Sequence, residues 1–482
     1  MNSLLLPVSW ELVEPEEGRF DFALVDRLVE QARERDKKLV LLWFGSWKNA
    51  ECMYAPAWVK TGLTRFRRGQ IEKGRNKAPR QNFYGLPYTT LSYLCGETRD
   101  ADARAFAALM AHLRQFDGEQ NTVVAVQVEN ETGLLGAARE ASDEADALFG
   151  GPVPADLISY LRAHTDTMVP DVREAVEAGT SARSWAEVFG PAAEELFSAY
   201  HIARYVDAVA AAGKAEYPLP MAVNCWLDKG EEPGKYPSGG PVSRTREVWR
   251  FAAPHIDLYG PDIYVPTFCE VCDEYTRRGE PLFIPECATH SYAGSRLVYT
   301  VGHYHALCYA PFGFEDMGQP FTGVQGFLFG VDVTDPALKT PQNTGEYRWY
   351  NETLRSLLPQ LTARYGTDEL QAVCAERAEN STLDFGAFRV QAAFDYPMLQ
   401  KKDGVCLGLK TGPDQCVLLA CRCGLMFSSG DPERPNLDIL SLEEGRVENG
   451  AWRTIRRLNG DEAAFLKYDE PVLLRLRVFT YA

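Results

Sequence analysis

Hydrophobic positions along this chain fall into two regimes. Over roughly the first 365 residues, short apolar runs alternate with segments of helical period. "SLLLPVS" (3–9) has the near-continuous apolar character of a buried parallel strand. "DFALVDRLVEQARER" follows it with Val25, Leu28, Val29 and Ala32 on one helical face, and "KLVLLWF" predicts the next strand. A long basic stretch from Thr61 to about Thr98, broken by Gly and Pro, reads as a loop. "DADARAFAALMAHLRQF" predicts an amphipathic helix with its stripe through Ala103, Phe106, Ala107, Met110 and Leu113, and the Val-rich run Thr122 to Val128 predicts a strand. A helix through Ala199, Ile202, Ala203, Val206 and Val209 precedes "PLPMAVNCWL", and "HIDLYGPDIY", "PLFIPEC" and "ALCYAPFG" predict three more strands.

Such alternation implies a parallel sheet with crossover helices. This many units favours a (β/α)8 TIM barrel over a doubly wound sheet, and no glycine-rich turn follows the first strand to support a dinucleotide fold. "GVQGFLFG" fits a loop or hairpin better than an eighth strand, so the barrel is expected to lack or replace its first strand. Self-association is one way to cover the edge this would leave. After "EYRWYNETLRSLLPQLTARYG", a helix, the pattern changes to alternating runs separated by turns: "FRVQAAF", "GVCLGLK", "CVLLACRC", "AAFLKY" and "VLLRLRVFTY". The expected division is a barrel over 1–367, with an insertion of acidic helices at about 138–195, and an antiparallel β-sandwich over 368–482.

Composition narrows the function more than the fold. The chain is 45% hydrophobic and 24% charged, with a formal charge of −17, which argues against nucleic acid or an anionic membrane as partner and leaves neutral ligands open. "MNSLLLPVSWELVEP" has no basic n-region and does not read as a signal peptide. The twelve cysteines are scattered, several inside apolar runs (Cys225, Cys287, Cys308), as expected of reduced core thiols in a cytoplasmic protein. "CEVC" (Cys269, Cys272) has knuckle spacing without a second pair to match, and the seven histidines include no HExxH, so no metal or cofactor is expected.

Function in an α/β barrel gathers at the C-terminal ends of the strands. In chain order those ends hold Ser9, Trp10 and Glu11; Trp43, Gly45 and Trp47; Asn130 and Glu131; Asn224 and Trp226; Asp262 and Tyr264; and Glu286. Two glutamates among asparagines, tyrosine and tryptophans suit a carbohydrate, whose C–H faces stack on indoles and whose hydroxyls meet amides and carboxylates. Carboxylates separated by about 5–5.5 Å would hydrolyse a glycoside with retention, the acid keeping its proton through a raised pKa. Strand-end acids also end strands or cap helices, and tryptophans there also close cores. "EPEEG" reads equally as a solvated turn, and Asp262 equally as an ion-pair partner.

The segments "SWELVEPEEGRFDFALVD", "GSWKNAECMYAPAWV", "VQVENETG", "YPSGGP", "GPDIY" and "PLFIPE" resemble, in this order, those of retaining β-galactosidases of glycoside hydrolase family 35, related to family 42, in the branch with its own C-terminal β-domain. The resemblance spans essentially the whole chain and departs at Thr132, where the motif usually has Tyr, at Cys287, and at the absent first strand. It implies Glu131 as acid/base and Glu286 as nucleophile, Asn130 on the sugar 2-hydroxyl, Tyr264 beside the nucleophile, and Trp47, Asn49, Glu129 and Trp226 as further substrate contacts. The implied activity is exo-hydrolysis of terminal β-D-galactosyl residues from oligo- or polysaccharides. The alternatives are a weakened or non-catalytic sugar-binding relative, and a clan member of β-glucosidase-like specificity.

Overall fold

A computed structural model describes residues 2–73, 89–178, 184–319, 340–395 and 403–482. These form two compact units, Asn2–Asp262 and Ile263–Ala482. "GVQGFLFG" and part of the basic stretch after Thr61 lie outside the described residues.

In the first unit, β1 (Ser3–Ser9), β2 (Lys38–Phe44), β3 (Val123–Val128), β4 (Met221–Cys225) and β5 (Leu258–Ile263) pair in parallel in chain order, β1 standing first in that order among the described residues. The pairing Ser3↔Lys38 through Ser9↔Phe44 brings the ends of β1 and β2 level. Parallel pairing demands crossovers, and helices Ala23–Glu34, Gly96–Asp117, Ala193–Glu216 and Arg246–Ala252 supply them. The insertion folds as short helices (Asp143–Gly150, Ala155–Ala163, Pro170–Ala178 and Trp185–Phe189). Asp143, Glu144 and Asp146 in the first turn of the leading helix complement its dipole, and Ser142 Oγ caps the Ala145 N–H at 3.2 Å.

Two sequence expectations change in this unit. The buried stripe of Gly96–Asp117 runs through Ala101, Asp102, Ala105, Phe106, Leu109, Met110 and Leu113, and Ala103 and Ala107 are only half-buried. The "EPEEG" turn is not simply solvated. Glu14 is buried, accepting from Trp10 Nε1 at 2.8 Å and from the Gly18 N–H at 2.7 Å, and Trp10 stands edge-on to Trp58. Glu11 pairs with Lys60 at 3.1 Å.

The second unit opens with helix Phe268–Thr276, then β6 (Phe283–Cys287) and β7 (Cys308–Pro311), paired in parallel around helix Ala293–His303. That makes seven parallel strands in all among the described residues. After helix Thr344–Ala363 come antiparallel strands: β8 (Leu370–Cys374), β9 (Asn380–Asp384), β10 (Phe388–Ala393), β11 (Val405–Gly412), β12 (Gln415–Cys421), β13 (Cys423–Ser429), β14 (Asn436–Glu448), β15 (Ala451–Arg457), β16 (Lys467–Tyr468) and β17 (Val472–Tyr481). They build one sheet of order β16-β13-β10-β9 and another of order β15-β14-β17-β12-β11-β8. Phe388, Val390 and Leu425 from the first sheet share a core with Cys406, Leu418 and Leu474 from the second. "AAFLKY" is shorter as a strand than its pattern suggests: Asp461–Ala464 is one helical turn, Phe465 is exposed, and only Lys467–Tyr468 pairs.

The cysteines are all free, and all but the half-buried Cys308 are buried. Cys269 and Cys272 lie one turn apart on helix Phe268–Thr276, where burial pushes the Cys272 thiol well up. No helix among the described residues is long and apolar enough to cross a membrane.

Candidate active site

In the first unit the ends of β2 and β3 turn sharply and brace each other. Asn49 and Ala50 have φ of 54° and 58°, and Glu129 and Glu131 have φ of 62° and 47°, a left-handed region that costs non-glycine residues energy and recurs at functional sites. Two backbone bonds join the turns, Asn130 N–H to Trp47 C=O at 3.3 Å and Ala50 N–H to Glu131 C=O at 3.0 Å. Asn130 is buried; its Oδ1 accepts from Lys48 Nζ at 3.0 Å and from the Asn49 N–H at 3.4 Å. Its Nδ2 is also buried and has no partner among the described residues.

Glu131 is 8% exposed, and its backbone N–H donates to Asn224 Oδ1 at 2.8 Å. Asn224 Nδ2 in turn donates to Asp262 Oδ2 at 2.8 Å. Asp262 therefore orients the amide that orients the Glu131 backbone.

Glu129 belongs to a different layer. It is fully buried, with Oε2 accepting the Trp47 N–H at 2.7 Å. Beside it lies Asp102, an acid the sequence analysis did not single out. Asp102 Oδ1 accepts from Trp43 Nε1 at 2.9 Å, and Oδ2 from the Ser46 N–H at 3.1 Å, Ser46 Oγ at 2.7 Å and Tyr205 OH at 3.2 Å. Burial and the adjacent Asp102 charge push the Glu129 carboxyl well above the ordinary carboxylate range. Burial raises Asp102 as well, and its donors counter only part of that rise. With the Trp43 indole, the Ser46 N–H and hydroxyl and the Tyr205 hydroxyl all donating to Asp102, the shared proton resides on Glu129 and the charge on Asp102. Gly45 makes the approach possible, since a Cβ there would sit 2.6 Å from both Asp102 Oδ1 and Glu129 Oε1. The missed signal was an acid one turn before Phe106 on the buried face.

Trp47 is 1% exposed and meets Tyr205 edge-on, a place in the core beneath the turn. Asn49 is exposed, and Trp226 is half-buried just past β4.

In the second unit Glu286 lies near the end of β6 and is half-buried, and its Oε2 accepts from Tyr264 OH at 2.8 Å. Burial pushes the neighbouring Cys287 thiol up to about 12, so Cys287 stays protonated and is no rival nucleophile near neutrality. The structure thus gathers Trp47, Asn49, Glu129, Asn130 and Glu131 in one unit and Tyr264 and Glu286 in the other.

Comparison with known proteins bears on parts of the chain. Residues 349–467 match a family described as "Domain of unknown function (DUF5597)". A search of the curated proteins finds no match. Among solved structures, the chain is similar to a β-galactosidase from the psychrophilic Marinomonas ef1, at 11% identity over 74% of this chain and 56% of that one, with a TM-score of 0.46. It is similar to a β-galactosidase from Bacillus circulans sp. alkalophilus, at 13% identity over 73% and 52%, with a TM-score of 0.43. A family 39 glycoside hydrolase from the gut symbiont Bacteroides cellulosilyticus WH2 matches at 10% identity over 99% and 75%, with a TM-score of 0.42. The chain spans about half the length of the solved β-galactosidases it matches.

Proposed function

We propose that this chain is a retaining β-glycosidase that removes terminal β-galactosyl residues from neutral oligo- or polysaccharides. The observation that carries the reading is the Tyr264–Glu286 hydrogen bond of 2.8 Å, at a half-buried carboxylate near the end of a parallel strand. The phenol fixes one carboxylate oxygen and so orients the other toward an incoming anomeric carbon. Glu286 is assigned as nucleophile and Glu131 as acid/base. In the first step Glu286 bonds to C1 while Glu131 gives its proton to the departing glycosidic oxygen. In the second, Glu131 takes a proton from water, the water oxygen bonds to C1, and Glu286 leaves as carboxylate.

Two further observations support this assignment. The buried Nδ2 of Asn130 is a donor lacking a partner among the described residues, as expected of an amide reserved for a sugar hydroxyl. The Asp262–Asn224–Glu131 series fixes the backbone of the assigned acid. Glu129, by contrast, is committed to Asp102 and the Trp47 N–H, so its part in sugar binding is assigned as support of the turn beneath Asn130.

The test is turnover of aryl β-galactoside, β-glucoside and β-xyloside by the purified chain, with the anomer of the first product read by NMR. The expected result is preference for the galactoside and a β-configured first product. Preference for the glucoside would move the specificity while keeping the roles. Binding of galactose without turnover of any of the three would make the chain a sugar-binding protein and sink the enzymatic reading.

A further inference from the structure

The segments that follow Tyr264 and Glu286 converge on one buried guanidinium. Arg296, on helix Ala293–His303, has a side chain only 4% exposed. Its Nη1 reaches His290 Nε2 at 3.1 Å, four residues beyond Glu286, and its Nη2 reaches the Pro266 carbonyl at 3.4 Å, two residues beyond Tyr264. Burial, with the guanidinium beside it, holds His290 well below its ordinary pKa, so the ring is neutral. The guanidinium lies over the Phe268 ring at 4.5 Å, which fixes its plane.

The counter-charge comes from the antiparallel domain. Glu376, in the turn after β8, accepts from Arg296 Nε at 2.9 Å and from Nη2 at 2.7 Å. A two-pronged Arg–carboxylate pair sets direction as well as distance. Helix Ala293–His303 also meets this sheet at Gly302, where a Cβ would come within 2.6 Å of Ala372 Cβ, so the helix is held close where Glu376 approaches. A buried Arg–carboxylate pair is a poor source of stability compared with apolar packing, so its use here calls for another reason.

We propose that Glu376 is a positioning residue for the nucleophile strand, acting through Arg296 on the segments that follow Tyr264 and Glu286. The inference rests on the assignment of Glu286 as nucleophile. It gives the DUF5597-matching segment a role in catalysis without placing any of its residues on the substrate.

The test compares Glu376→Gln, Glu376→Ala and Arg296→Lys with Glu346→Gln. The last weakens a second buried pair, Arg422 with Glu346 at 2.6 and 2.9 Å, which joins helix Thr344–Ala363 to the same antiparallel domain without touching these segments. Each full-length variant is assayed on an aryl β-glycoside for kcat and KM, melted, and followed by hydrogen exchange over residues 287–295. Misplacement of a reacting group by about 1 Å costs on the order of 100-fold. The expected result is a kcat loss of that order in Glu376→Ala with KM within a few-fold, faster exchange over 287–295, and a smaller loss in Glu376→Gln. Glu346→Gln should lower Tm while leaving kcat and that exchange unchanged. A kcat loss in Glu376→Ala no greater than in Glu346→Gln at matched loss of Tm overturns the proposal. Should Glu376→Ala fail to fold, Glu376→Gln and Arg296→Lys decide by the same comparison. Should the parent chain turn over no glycoside, the functional reading fails on its own, and exchange over 287–295 alone upholds or overturns the positioning role.

Discussion

Glu129 and Glu131 stand on the same strand end, both at positive φ, in unlike surroundings. Glu129 shares a proton with Asp102 and faces no solvent, while Glu131 keeps 8% exposure and is steered through its backbone by Asn224. Two predictions follow from the difference. For the assigned pair, Glu286→Ala should lose nearly all turnover even on substrates with good leaving groups, because no glycosyl-enzyme forms. Glu131→Ala should keep much of its first step on those substrates, where a general acid is hardly needed. Equal losses on an activated aryl galactoside would refute the role assignment. For Glu129, the folded state holds a proton that the unfolded chain releases above the ordinary carboxylate pKa of about 4.3. Stability from this group is therefore full below that value and is lost as pH rises toward the raised folded pKa. Glu129→Gln keeps a donor toward Asp102 and an acceptor for the Trp47 N–H, and its melting temperature should fall less between pH 5 and 8, a window taken from the direction of that shift. A parallel fall in both proteins would place the proton elsewhere. The sequence could locate Glu129 on the pocket side of its strand, but not its partner, because Asp102 comes from another element and only the fold brings them together.

Elements were legible where large apolar residues set the phase and less so where alanine did. Val25, Val29 and Ala32 mark the correct face of helix Ala23–Glu34. In Gly96–Asp117 alanines occupy several faces, and a stripe drawn through Ala103 and Ala107 is rotated away from the buried one, which leaves Asp102 off the predicted face. The parallel strands could be read from their Val- and Leu-rich runs. "AAFLKY" shows the opposite case, in which a short apolar run begins in a helical turn, leaves Phe465 in solvent and pairs only at Lys467–Tyr468. The contact between helices Gly96–Asp117 and Ala193–Glu216 supplies a prediction at this scale. A Cβ on Gly213 would lie 2.3 and 2.6 Å from Phe106 ring carbons. Gly213→Ala gains about 1 kcal/mol of helix propensity but overpacks a rigid ring, at about 1–3 kcal/mol. Net destabilisation is expected in urea unfolding, and adding Phe106→Leu should recover part of it. A more stable Gly213→Ala would show that the two helices separate at little cost.

At the scale of the whole molecule, the expected antiparallel region is present from Leu370 onward, yet its tie to the segments after Tyr264 and Glu286 could not be read from sequence. Arg296 and Glu376 are 80 residues apart, and nothing in either neighbourhood announces the other. Charge, in contrast, is a property the sequence states in full. A formal −17 surrounds any ligand with a repulsive field for anions, screened over about 10 Å at 0.1 M salt. A neutral galactoside feels neither the field nor its screening. Its KM should therefore change by less than about twofold between roughly 20 mM and 0.5 M salt. An aryl β-glucuronide meets the full repulsion at low salt, so whatever KM it shows should fall as salt rises. The comparison separates field from pocket, because a specificity set only by contacts would leave both salt profiles flat. Should the KM of the neutral galactoside fall steeply with salt while that of the glucuronide stays constant, the natural substrate class would have to be charged, and the assignment to neutral β-galactosides would be withdrawn.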